Sequence, residues 1–130
     1  MLYNWYAVDN SSGLCPQGWD IPTDSEFTNL KTGLGNNAAA QLKETGTVHW
    51  LSESAGTNNS SGFTARGAGI RDYRTGYYSG IRNYTYFWTS TTSGSSSTYR
   101  YLYASGSSST TFGKGNSFRR YGFSIRCLED

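Results

Sequence analysis

Tyr86-Phe87-Trp88 and Gly122-Phe123-Ser124-Ile125-Arg126-Cys127 bracket a segment, Ser93 to Tyr121, composed mostly of Ser, Thr, Tyr and Gly. A flexible linker is Ser/Gly-rich without aromatics, whereas this segment carries Tyr99, Tyr101, Tyr103, Phe112, Phe118 and Tyr121. Tyr with Ser, Gly and Asn is the composition of antibody binding loops. There the two-torsion aromatic gives contact area at low entropic cost and the small polar residues adapt to the partner. Tyr99, Tyr101 and Tyr103 recur at period two with Arg100 and Leu102 between them. One face of a strand therefore presents rings, and the other a cation and an aliphatic side chain. The segment reads as a binding surface displayed on a rigid scaffold rather than as an active site.

Around it, Tyr84 to Ser90 is the clearest core strand, Phe112 begins another, and Tyr121 to Leu128 reads as the last. At the other end, Leu2 to Val8 reads as an aromatic-rich first strand, followed by a turn over Asp9 to Gly13. Pro16 and Pro22 keep Leu14 to Pro22 extended. Thr23-Asp24-Ser25-Glu26 is a capping box, in which hydroxyl and carboxylate each satisfy a free backbone N–H. It opens a helix expected over Asp24 to Thr32, burying Phe27, Leu30 and the stem of Lys31 and stopping at Gly33 or Gly35. Asn37 to Lys43 predicts a second short helix, with a glycine stop at Gly46. From Thr47 to Gly80 regular structure is hard to see. Trp50 and Leu51 read as buried, and Phe63 to Arg71 as a strand or an ordered loop whose glycines allow close backbone approach. No repeat of solenoid or propeller period is present.

A chain of 130 residues fits one domain, 1–130. With 16% aromatics and 16 glycines, it predicts a loop-rich, aromatic-cored α+β domain rather than a helical bundle. The net charge of +2 conceals an asymmetry. Between Asp72 and Glu129 there is no acid, while Arg74, Arg82, Arg100, Lys114, Arg119, Arg120 and Arg126 all fall there. These are either structural arginines or a basic face for anionic partners. Without a Lys/Arg cluster on a helix, nucleic acid is not the expected partner. Cys15 and Cys127 form no CxxC pair, and the lone His49 completes no zinc set. Bonded, they close most of the chain into one loop and imply an oxidising compartment; reduced, they are two buried thiols. No signal peptide or membrane-spanning apolar run is seen. Met1 leads straight into strand-like sequence, as in an excised domain.

Four blocks, in order, resemble a known family: Leu14-Cys15-Pro16-x-Gly18-Trp19-x-Ile21-Pro22-Thr23-Asp24-x-Glu26-Phe27; Ser61-Gly62-Phe63-Thr64-Ala65; Tyr86-Phe87-Trp88-Thr89-Ser90-Thr91; and Gly122 to Cys127. The chain resembles the Fibrobacter succinogenes major paralogous domain over nearly its whole length. The resemblance implies a C-type lectin-like fold of the formylglycine-generating-enzyme branch, with two short helices and small antiparallel sheets. It also implies pairing of Cys15 with Cys127, and occurrence in proteins of gut Bacteroidetes and their phages.

Members of that family serve as variable proteins of diversity-generating retroelements, in which template adenines are replaced at random. The resemblance places the variable region at about residues 88–127. It makes Arg100, Leu102, Lys114 and Arg119 fixed scaffold positions. The diversified, ligand-binding positions would be Tyr99, Tyr101, Tyr103, Ala104, Ser105, Thr111, Gly113, Gly115, Asn116, Ser117, Phe118 and Tyr121. All twelve residues are reachable from AAC or AAT codons by adenine changes alone, and Trp, Met, Gln, Lys and Glu, which are not reachable, are absent from them. The expected function is binding of a protein or glycan receptor through this face, outside the cell, on a cell surface or on a phage particle. The alternative is a non-diversified adhesin of the same fold. Catalysis is not expected, since the formylglycine-generating relatives need a reactive cysteine pair close together and this chain separates its two. No cofactor, no metal and no membrane insertion by this domain are expected. Calcium-dependent sugar binding needs clustered oxygen ligands, and Trp88-Thr89-Ser90 lacks the Asn-Asp pair that lectins place after this Trp.

Overall fold

The computed structural model describes residues 1–129. Three helices, α1 (Trp5–Val8), α2 (Asp24–Leu34) and α3 (Ala38–Leu42), accompany seven strands. These are β1 (Trp19–Asp20), β2 (Ala68–Arg71), β3 (Tyr78–Ile81), β4 (Tyr84–Ser93), β5 (Ser96–Tyr103), β6 (Gly113–Phe118) and β7 (Leu128–Glu129). The main sheet has the order β3-β2-β4-β5-β6, and β1 pairs with β7 in a second, two-stranded sheet. The fold class is α+β, with one correction to the expected sheets: β2 runs parallel to β4 through Gly69 and Thr85, so the main sheet is mixed.

The capping box forms as its spacing dictates. Thr23 Oγ1 accepts from Glu26 N at 3.2 Å, and the Glu26 carboxylate accepts from Thr23 N at 2.7 Å. Helix α2 passes through Gly33 and ends at Gly35, whose φ of 69° only glycine adopts freely. Phe27 is buried and Leu30 half-buried, while Lys31 lies exposed rather than laying its stem on the core. In α3, Ala38, Ala39, Ala40 and Leu42 are buried, and Ala38, Ala39 and Leu42 join the cluster that holds Phe27 and Phe87. It ends at Leu42, short of the expected glycine stop, because Lys43 turns extended and bridges to Ala65.

The expected N-terminal strand is absent. Asn4 instead caps a one-turn helix, its side-chain oxygen accepting from Ala7 N at 3.1 Å. This turn drives Trp5 inward, where its indole N–H donates to Thr89 O at 2.9 Å. Only Tyr3 keeps extended pairing, with Phe123. The expected final strand is broken as well. Gly122, Phe123 and Ser124 make isolated bridges to Arg71, Tyr3 and Phe87, and pairing resumes only at β7. Leu51 is 59% exposed against the expectation of burial, whereas Trp50 is sealed at 1%.

Two apolar clusters sandwich the main sheet. On the helix side lie Phe27, Leu42, Trp50, Phe87, Leu102 and Phe112; on the other side lie Trp5, Trp88 and Phe123. Burial of each large side chain contributes about 1.5–3 kcal/mol relative to exposure. Adjacent Phe87 and Trp88 thus belong to different clusters, as strand alternation requires.

Candidate binding face

Strand β5 is two-sided. Its antiparallel register with β4 sets Tyr99 opposite Trp88, Tyr101 opposite Tyr86 and Tyr103 opposite Tyr84. Five tyrosines therefore share the face away from α2 and α3, each partly buried. Tyr86 stacks on Tyr99 at 4.8 Å between centroids, Tyr101 meets Tyr103 edge-on at 5.3 Å, and Tyr84 lies 5.6 Å from Tyr103. The hydroxyls of Tyr86 and Tyr103 share a hydrogen bond of 2.6 Å. Burial, and then that hydrogen bond, push the Tyr86 phenol well above its ordinary range, and burial raises Tyr99 as well. Tyr84 and Tyr86 were absent from the expected site; their own period-two spacing was the signal. Through Phe123, 5.2 Å from Tyr99, the rings continue to Tyr121, Tyr73 and Phe118.

The opposite side of β5 is closed. Arg100 is 3% exposed; its Nε donates to Asp24 Oδ1 at 2.7 Å and its Nη2 to Thr28 Oγ1 at 2.5 Å. Leu102 is wholly buried. Lys114 donates to the other oxygen of Asp24 at 3.2 Å. Arg119 donates to Ser97 Oγ and to the carbonyls of Gly94 and Ser96, with its guanidinium 4.6 Å from the Trp5 ring centre.

The remaining candidate positions do not all reach one surface. Gly115 and Ser117 fall beside the tyrosines by register, and Ser105 is exposed just past β5. Phe118 is 60% exposed, and Thr111 and Tyr121 are half-buried. Asn116 alternates to the other side of β6, where its side-chain oxygen accepts from Thr98 Oγ1 at 3.0 Å. Ala104 and Gly113 lie inside. Ala104, 2% exposed, packs in the helix-side cluster because it continues the side of the strand taken by Arg100 and Leu102, its N–H donating to Asn83 O. Gly113 is buried beneath the ring of Tyr101.

The blocks that lie apart in sequence meet at the base of the domain. Cys15 and Cys127 are bonded, their Cα atoms 5.7 Å apart, and β1 and β7 pair beside them. Residues 1–129 match the Fibrobacter succinogenes major domain (Fib_succ_major). The chain belongs to this family. No curated protein and no solved structure matched in the corresponding comparisons.

In this Fib_succ_major domain six of the seven cations of that run have hydrogen-bond or ion-pair partners, and Arg120 is exposed. Arg74 pairs with Asp72 at 3.0 Å, and Arg82 donates to Thr47 O at 2.7 Å. Arg126 donates to Phe63 O at 2.7 Å and lies over that ring, where burial lowers its pKa. With Arg100, Lys114 and Arg119, these side chains are tied into the frame. His49 Nδ1 lies 2.5 Å from a Glu44 oxygen whose partner takes Arg66 Nε, and chiefly the His49 hydrogen bond holds the Glu44 carboxyl below its usual range. Among the described residues no three His, Cys, Asp or Glu side chains are grouped to hold a metal ion. No described helix is long and apolar enough to cross a membrane.

Proposed function

We propose that this Fib_succ_major domain is the ligand-binding variable protein of a diversity-generating retroelement, built on a C-type lectin-like fold. In this reading it presents the Tyr99/Tyr101/Tyr103 face to a protein or glycan receptor outside the cell. The observation that carries it is the division of β5: the cation and the leucine are locked against α2 and the core, while the tyrosines that alternate with them remain partly exposed. Residues on such a face are exchangeable without unmaking the frame that positions them. The Tyr-rich, Ser- and Gly-surrounded surface offers rigid aromatic anchors and adaptable small neighbours, the make-up of a general-purpose paratope. The bonded Cys15–Cys127 pair supports an oxidising, extracellular setting.

The domain is non-catalytic in this reading, since its two cysteines are joined to each other across the base. A specific observation favours the non-diversified adhesin instead: Ala104 lies inside the helix-side cluster, where random replacement would disturb the fold. The flanking DNA decides between them. A reverse-transcriptase gene with a near-identical template repeat, differing from the coding copy only at adenines, is the expected finding. A neighbourhood without either makes the domain a fixed adhesin.

A further inference from the structure

On β6, Gly113 stands directly across from Tyr101, and Gly115 directly across from Tyr99. Neither glycine is required by its backbone. Eleven other glycines have positive φ, but these two do not, so any L-residue fits their dihedrals. What excludes a side chain is the ring opposite. A Cβ at Gly115 would lie 2.7 Å from the Tyr99 hydroxyl and 2.9 Å from its Cζ. At Gly113 it would run into Cζ, Cε2 and the hydroxyl of Tyr101, well inside van der Waals contact. Each ring lies down across the sheet onto the bare backbone of the edge strand, filling the space that a β6 side chain would take.

Resting on the reading of this surface as the binding face, we infer that Gly113 and Gly115 are its positioning residues. Each seats one tyrosine, so 101/113 and 99/115 act as coupled pairs rather than four independent positions. The consequence for recognition is direct. The atoms that would collide are the far end of a mobile side chain, so a larger residue at 113 leaves the backbone intact and lifts the Tyr101 ring off the sheet. That changes the height and tilt of the surface a receptor meets. A tyrosine selected at 101 carries with it a requirement at 113, and the repertoire of usable faces is smaller than the product of the single positions. Gly113 reaches a ligand only through Tyr101, although it is itself buried.

Proton NMR of the intact domain tests this without any ligand. The Hα atoms of Gly113 and Gly115 should be shifted upfield by the rings above them. Tyr101→Ser should abolish the shift at Gly113 and leave that at Gly115, and Tyr99→Ser should do the reverse. Gly113→Ala should release the Tyr101 ring, with loss of its cross-strand NOEs to residue 113. In a double-mutant cycle, Gly113→Ala should lower Tm in the parent and be neutral or stabilising in the Tyr101→Ser background, a non-additivity of about 4 °C. Equal Tm changes in both backgrounds, or a Gly113 shift that survives Tyr101→Ser, would overturn the seating. Because no receptor enters the assay, the pairs can fail while the binding face stands. The converse also holds: a missing template repeat leaves the seating untouched.

Discussion

Asp24→Ala removes the carboxylate that faces Arg100 and strands a cation in the core. The magnitude follows from the geometry. Arg100 is 3% exposed and Asp24 16%, so water cannot replace the lost partner at the Arg100 end. Of its bonds to α2, Arg100 keeps only those to Asp24 O at 3.1 Å and Thr28 Oγ1. Breaking a buried pair from one side costs about 3–5 kcal/mol, because the surviving charge stays desolvated. At roughly 4 °C per kcal/mol for a domain of this size, Tm should fall by about 12–20 °C. Lys114→Ala is the control, since its ammonium is 61% exposed and bonds the same carboxylate. A solvent-exposed pair is worth about 0–1 kcal/mol, a shift of no more than about 4 °C. Arg100→Met should cost less than Asp24→Ala, since it leaves Asp24 paired with Lys114 at the wetter end. Calorimetry of the three variants reads the order directly. Equal shifts for Asp24→Ala and Lys114→Ala would refute the claim that a buried ion pair clamps α2 to the back of β5.

Thr85 is fully buried and its hydroxyl has no hydrogen-bond partner among the described residues, so Thr85→Val should raise Tm by a few degrees, about 1 kcal/mol of relieved desolvation; a lower Tm would reveal a partner for that hydroxyl. The Cys15–Cys127 bond spans 112 residues, and its reduction should cost about 4–5 kcal/mol by loop-closure entropy, seen as a large Tm drop in dithiothreitol that a double Cys→Ser variant does not show. Tyr103→Ser should lower Tm far less than Leu102→Ala, for which loss of a sealed leucine predicts about 2–5 kcal/mol; comparable losses would place the tyrosines in the core. Burial lowers the Lys43 ammonium from 10.5 to about 8. Above pH 8 the unfolded chain then holds more protons than the folded one, so this group's contribution to stability rises with pH from about 8 towards 10.5. The raised phenols of Tyr86 and Tyr99 act in the opposite sense above pH 10. Urea unfolding between pH 8 and 9.5 should therefore show a rise that Lys43→Met abolishes.

Legibility in the sequence followed the range of the interaction. Helix α2 was readable because its cap is local: Thr23 and Glu26 are three residues apart and satisfy each other. Strand β5 was readable because period two is local too. Helix α1 was not, because Tyr3, Trp5 and Tyr6 favour a strand by propensity, and only the burial of Trp5 against Thr89, 84 residues away, decides for a turn of helix. The parallel pairing of β2 with β4 rests on a single bridge between short segments, which no local pattern announces. The same holds for Lys43, which the sequence places only at the end of the second expected helix. In the fold it is 2% exposed, its ammonium donating to Ser54 Oγ and to the carbonyls of Tyr103 and Ser109. Ala104 was legible by alternation, since it falls two residues after Leu102 on the side that Arg100 and Leu102 share; only the family resemblance set it on the displayed surface.

A surface that is to be varied must be uncoupled from the core beneath it, and here the uncoupling is graded along the face. Tyr103 and Tyr101 sit over other tyrosines and over Gly113, so removing them exposes mainly other surface rings. Tyr99 and Tyr121 instead pack onto Phe123 and belong to the margin of the second core cluster. Changes at positions that share contacts do not add, so variation at 99 and 121 is felt directly at Phe123, whereas variation at 103 reaches that cluster only through Tyr86 and variation at 118 only through Tyr73 and Tyr121. Lys43 extends the same division of labour to the loop after β5, because one ammonium ties Tyr103 and Ser109 to the frame through their carbonyls alone. Carbonyls are present whatever the side chain. A frame that grips the variable segment by its backbone and by Arg100, Lys114 and Arg119 keeps its hold while the side chains between those anchors change.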